Sequence, residues 1–100
     1  MGAGQVEEAL MILGTARVDD FDRFWQTFST RGAELRKQHG SKGAQVFRDP
    51  DDANRVFAVF DWDEEGWQSY LSNPESADVF KEGGLQGRPE TIPPVGETDA

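Results

Sequence analysis

Five side chains in this chain are best equipped for chemistry: Trp25, His39, Trp67, Tyr70 and Phe80. His39 is the only histidine, hence the only side chain whose unperturbed pKa lies near neutrality. It is a candidate general base, yet Arg36-Lys37 before it and Gly40 after it read as a solvated helix end. One histidine cannot form a multi-His metal site, and the absence of cysteine removes disulfides, thiolate zinc sites and cysteine nucleophiles. Asp61-Trp-Asp63-Glu-Glu65-Gly66 imitates the first half of a calcium loop, but Ser72 stands where that loop needs its glutamate. Helix capping is the better reading of those acids, and neither metal nor cofactor is expected. Trp25, Trp67, Tyr70 and Phe80 are the ligand-binding candidates, because flat aromatic walls hold a flat aromatic molecule by stacking and area burial. The plainer alternative is that they are core. Tyr70 adds a hydroxyl that could donate to a ligand carbonyl, so Tyr70 and His39 are the catalytic candidates.

The elements that must position these groups follow from periodicity. Arg55-Val-Phe-Ala-Val-Phe-Asp-Trp62 is a strand with apolar residues on both faces: Val56, Ala58, Phe60 and Trp62 on one, Phe57 and Val59 on the other. Glu8 to Ala16 carries Leu10-Met-Ile-Leu13, a second strand of the same kind. Asp19 or Asp20 caps a helix whose stripe is Phe21, Phe24, Trp25, Phe28, Gly32 and Leu35, ending at Gly40. Lys42 to Asp49 is a strand joined by the Pro50–Asn54 turn to 55–62, which sets Phe47 opposite Phe57 and Val46 opposite Ala58. Asp63 caps a helix burying Trp67, Tyr70 and Leu71. Asn73-Pro74 restarts it, with Ala77, Val79 and Phe80 inward, and Gly83-Gly84 stops it. Thr91 to Glu97 is a short last strand held to an edge by Pro93-Pro94.

The order βαββαβ describes an α+β, ferredoxin-like antiparallel sheet with both helices on one face. The chain of 100 residues forms one domain, folded over about 8–96, with 1–7 and 97–100 as flexible ends. Two helices cover one sheet face, so the second apolar face calls for another copy of the chain. Which parity of 55–62 faces which way stays open, although Asp61 and Gln45 make the Phe57–Val59 side more polar at its end. The net charge of −9 argues against nucleic acid and anionic membranes, and no apolar run is long enough for a span. A cytoplasmic protein is expected.

Val46-Phe-Arg-Asp-Pro-Asp-Asp-Ala-Asn-Arg-Val-Phe-Ala-Val-Phe-Asp-Trp62, the acidic-capped helix, Ser72-Asn-Pro74 and Gly84-Leu-Gln-Gly-Arg-Pro89 together carry a family resemblance. Over roughly residues 9–96 the chain resembles the antibiotic-biosynthesis-monooxygenase-like family of dimeric α+β barrels. The resemblance implies two sheets meeting face to face in a homodimer, with a ligand cleft between each sheet and its helices. It implies either cofactor-independent oxidation of polycyclic aromatic molecules or haem degradation. Both chemistries rely there on an asparagine near the start of the fold, whereas this chain has only Asn54 and Asn73. Tyr70 falls at the haem-degrading type's Trp, and Gly83 near its His. The Trp–Asn–Arg arrangement of the other type is at most partly supplied, by Trp25 or Trp67 with Arg17 or Arg23. The expected function is binding, with or without cofactor-free oxidation, of a small phenolic or polyketide-like molecule; the alternative is a non-catalytic dimeric binding or assembly module.

Overall fold

A computed structural model describes residues 11–100. Its elements are β1 (Met11–Arg17), α1 (Phe21–Phe28), α2 (Arg31–Gln38), β2 (Ala44–Asp49), β3 (Asp52–Asp61), α3 (Glu64–Ser72), α4 (Pro74–Glu82) and β4 (Glu90–Thr91). The sheet is antiparallel in the order β2-β3-β1-β4, the ferredoxin-like arrangement expected from the sequence. Phe47 pairs with Phe57 and Val46 with Ala58 as expected, but the expected 50–54 turn is shorter, since β3 already begins at Asp52 and an irregularity between Arg48 and Asp49 takes up the difference. The expected start of the first strand at Glu8, and the loose 1–7, lie outside the described residues. No helix among the described residues is long and apolar enough to cross a membrane.

Side-chain alternation on β3 settles the parity. Val56, Ala58, Phe60 and Trp62 are buried under the helices. Ile12 pairs with Phe60 and shares that face. The opposite face carries Phe57 and Val59, only half-buried, beside Leu13 of β1, with exposed Phe47 and Met11 near the edges. One end of this face is polar: Arg55 Nη1 donates to Thr15 Oγ1 at 3.2 Å, and Arg17 pairs with Asp52 at 2.6 Å. Trp62, which ends this parity just after β3, belongs to the helix-covered face. It is buried, with Nε1 donating to the His39 carbonyl at 2.8 Å. Gly66 makes that approach possible, since a Cβ there would lie 2.5 Å from both the His39 oxygen and Trp62 Nε1.

Three local expectations are corrected. The single helix over 20–39 is two helices: the Ser29 and Thr30 hydroxyls donate back to the Trp25 and Gln26 carbonyls at 2.6 Å, and the Thr30 N–H turns to the Thr27 carbonyl at 3.3 Å. Ala77 is exposed, while Ser76 and Val79 are buried and Phe80 half-buried. The inward phase of α4 therefore runs through 76, 79, 80 and 83, one residue off the expected set. The last strand shrinks from 91–97 to Glu90–Thr91. Ile92 still donates to the Leu13 carbonyl, but Pro93 and Pro94 have no N–H to continue the ladder.

Candidate functional site

Asp63 accepts the Gly66 N–H at 2.7 Å and so starts α3 where Trp67 and Tyr70 turn toward the sheet. Trp67 is 1% exposed, packs on Phe60 and donates from Nε1 to Thr91 Oγ1 at 2.7 Å, which ties the short β4 to the helix layer. Asn73 accepts the Glu75 N–H at 2.8 Å to begin α4, and Pro74 occupies the first helical turn without forfeiting a bond. This angle between α3 and α4 brings Phe80 edge-on to Tyr70, with ring centroids 5.6 Å apart. Trp67, Tyr70 and Phe80, three of the four predicted ligand-facing residues, thereby line one cavity between the helices and the sheet.

That cavity is about 50 Å³ and almost wholly apolar, completed by Phe28 and Phe60. It has room for a water or two, but not for an aromatic ring; small-molecule sites run from roughly 300 Å³ upward. One charged group reaches it. Arg36 is 6% exposed, lies with its guanidinium carbon 3.7 Å from the Phe28 ring centroid, and donates from Nη2 to the Phe28 carbonyl at 3.1 Å. Gly32, one turn earlier, leaves the space: a Cβ there would sit 3.1 Å from Arg36 Nη1. Burial lowers the pKa of Arg36, although the neighbouring Tyr70 works against that shift, and a guanidinium stays protonated at neutral pH. Burial pushes the Tyr70 hydroxyl up, with Arg36 opposing, so Tyr70 is a neutral donor near pH 7.

Trp25, the fourth predicted residue, is not in this cavity. It is 46% exposed and lines a surface groove of about 260 Å³ together with Lys37 and Lys42. Phe28 and Arg36 border both spaces and form the partition between them. Trp25 stacks on Phe28 at 6.0 Å and 19°. The four aromatic candidates thus line two separate spaces that meet at Phe28 and Arg36. Joined, the two spaces would reach the ~300 Å³ at which small-molecule sites begin. Sequence reasoning missed both partition residues as site groups. The available signal was spacing: 28, 32 and 36 recur every four residues, so Arg36 falls on the apolar stripe.

His39 is not the solvated residue expected. It is half-buried, with Nδ1 3.0 Å from Ser69 Oγ and Nε2 3.1 Å from Asn73 Nδ2. An amide nitrogen only donates, so Nε2 accepts and the proton sits on Nδ1, facing Ser69. Both ring nitrogens are therefore engaged in clasping α2 to α3 and α4. The two asparagines are similarly occupied. Asn54 Nδ2 donates to the Val18 and Asp19 carbonyls at 2.8 and 3.2 Å, and Asn73 caps α4. Arg23, considered beside Trp25, spends its guanidinium on the Lys81 and Glu82 carbonyls.

No protein-family model matches the chain, and no curated protein matches its sequence. Solved structures do match its fold. SnoaB, a cofactor-independent oxygenase from Streptomyces nogalater, superposes with a TM-score of 0.64 at 14% identity, over 90% of this chain and 96% of that one. A candidate antibiotic biosynthesis monooxygenase from Deinococcus radiodurans gives 0.60 at 12% identity, over 90% and 96% of the two chains. Another from Chloroflexus aurantiacus gives 0.54 at 21% identity, over 88% and 94%. At these identities the likeness is one of fold. The chain has the α+β, ferredoxin-like fold of the antibiotic biosynthesis monooxygenases.

Proposed function

We propose that this protein is a single-domain, homodimeric member of that fold group that binds a small aromatic molecule between its helices and sheet and oxidises it without a cofactor. The carrying observation is the divided aromatic cleft, with Trp67, Tyr70 and Phe80 on one side of Phe28 and Trp25 on the other. SnoaB, of similar fold, is described as a cofactor-independent oxygenase, which supports the reading. Rotation of Phe28 out of the partition admits the ring. In the dimer, the sheet face bearing Leu13, Phe57 and Val59 packs on its counterpart, burying apolar surface that helices leave uncovered.

For an anthrone-type substrate the reaction balances without help from the protein's own redox groups. Loss of a proton from the ring methylene to solvent gives a carbanion, which passes an electron to dioxygen. Carbon–oxygen bond formation yields a hydroperoxide, and loss of water leaves a quinone carbonyl. The protein contributes an apolar enclosure and the neutral Tyr70 hydroxyl as a donor to the substrate carbonyl. Oxygen uptake and quinone absorbance with anthrone test this: turnover above the spontaneous rate, reduced in Tyr70→Phe, is expected. Binding measured by tryptophan quenching without any turnover would replace the enzyme with a second reading, a non-catalytic binding module. That reading has its own support, since Asn54, Asn73 and His39 are all held in structural hydrogen bonds.

A further inference from the structure

Arg36 is a cation buried without a countercharge. The ion pairs among the described residues are Arg17–Asp52 and Arg31–Glu82, and neither includes it. One N–H goes to the Phe28 carbonyl, the uncharged Tyr70 hydroxyl lies beside the guanidinium as a second acceptor, and the guanidinium face stacks on the Phe28 ring, with Phe60 at 5.8 Å. A guanidinium carries five N–H donors, and these neutral acceptors do not balance its charge, so a ligand of opposite sign is favoured beside it. The surroundings are selective in the same sense. The groove outside Arg36 is lined by Lys37 and Lys42 and by no carboxylate, although the chain has 19 acidic residues against 10 basic ones. In a protein of net charge −9, an acid-free channel leading to a buried cation directs anions inward.

We infer that the cleft takes an aromatic anion, its carboxylate or phenolate oxygen seated on Arg36 and its ring replacing Phe28 between Trp25 and Tyr70. This rests on the ligand-binding reading above and narrows its ligand to aromatic acids and phenolates. Trp25 then serves as the outer stacking wall, and Lys37 and Lys42 draw the anion into the groove. Arg36 Nη groups can grip two oxygens at once in the fork geometry that carboxylates favour.

Calorimetric titration with 2-naphthoate and its neutral isostere 2-naphthamide tests the assignment. The wild-type protein is expected to bind 2-naphthoate roughly ten- to a hundredfold more tightly, the value of a charge-assisted hydrogen-bond pair. Arg36→Met, which keeps the volume but not the charge, should lose that preference while retaining 2-naphthamide binding. Arg36→Lys should keep part of the preference, separating charge from packing even if Arg36→Met folds poorly. Equal binding of both probes by wild type would overturn the anion site and leave the ligand-binding reading standing. Binding of neither probe would overturn both.

Discussion

Val59→Glu offers a sharp test of the assembly. Val59 sits in the middle of the uncovered sheet face, paired with Leu13 on one side and Gln45 on the other. It is half-buried within one chain, so the proposed dimer would remove the remaining half from water. Half of the ~1.5–3 kcal/mol for a fully buried aliphatic side chain is about 1 kcal/mol per copy. The new carboxylate would be desolvated opposite apolar residues without a partner, at a further 1–2 kcal/mol or more per copy. Two-fold symmetry places each change in the interface twice, so the total is about 4–6 kcal/mol, or some three to four decades in the dimer dissociation constant. Light scattering coupled to size exclusion, from 1 to about 100 µM, should give a dimer for the wild type and a monomer for Val59→Glu. Circular dichroism should show the variant still folded, because the side chain is only half-buried in the monomer. A wild-type monomer across that range, or a Val59→Glu dimer of undiminished affinity, would refute the reasoning.

Three further outcomes follow from packing and protonation. Trp67→Ala should lower stability in urea by about 3–5 kcal/mol, since it empties a fully buried site and leaves Thr91 Oγ1 without its donor. Ser76→Ala should leave stability unchanged or raise it by up to ~1 kcal/mol, because the Ser76 hydroxyl is buried without a hydrogen-bond partner. Tyr70 is the only tyrosine, and burial raises its pKa; the stability it contributes is present below the ordinary value of about 10 and is lost as pH climbs through the raised folded value. Absorbance at 295 nm should therefore show tyrosinate appearing late and together with loss of near-ultraviolet dichroism, whereas a normal reversible titration in the folded protein would contradict that burial.

The strands were legible because their pattern has a period of two. Phe47 opposite Phe57 held although the turn is shorter than 50–54, because the irregularity between Arg48 and Asp49 makes up the offset. The caps at Asp20, Asp63 and Asn73 were readable for a similar reason, since each side chain bonds a backbone N–H two or three residues on. The break after Phe28 was not, because two hydroxyl-to-carbonyl bonds at Ser29 and Thr30 are a small local preference that tertiary packing had to select. The site divided along the same line. Trp67, Tyr70 and Phe80 share a cavity because they lie on the inward faces of two helices that periodicity locates. Arg36 escaped notice since a basic residue in a last turn already has a satisfactory explanation in the helix dipole. Its partners include the Phe28 carbonyl of the preceding helix, a contact that depends on the α1–α2 bend.

The central claim is that an aromatic ligand occupies the cleft divided by Phe28. The three tryptophan indole N–H signals report on it separately, for Trp67 lines the inner cavity, Trp25 the outer groove, and Trp62 neither. A ¹H–¹⁵N correlation titration with 2-naphthol should shift the Trp25 and Trp67 indole peaks together along one binding curve while Trp62 moves least. Unmoved Trp25 and Trp67 peaks at saturating 2-naphthol, or shifts at Trp25 alone, would contradict it.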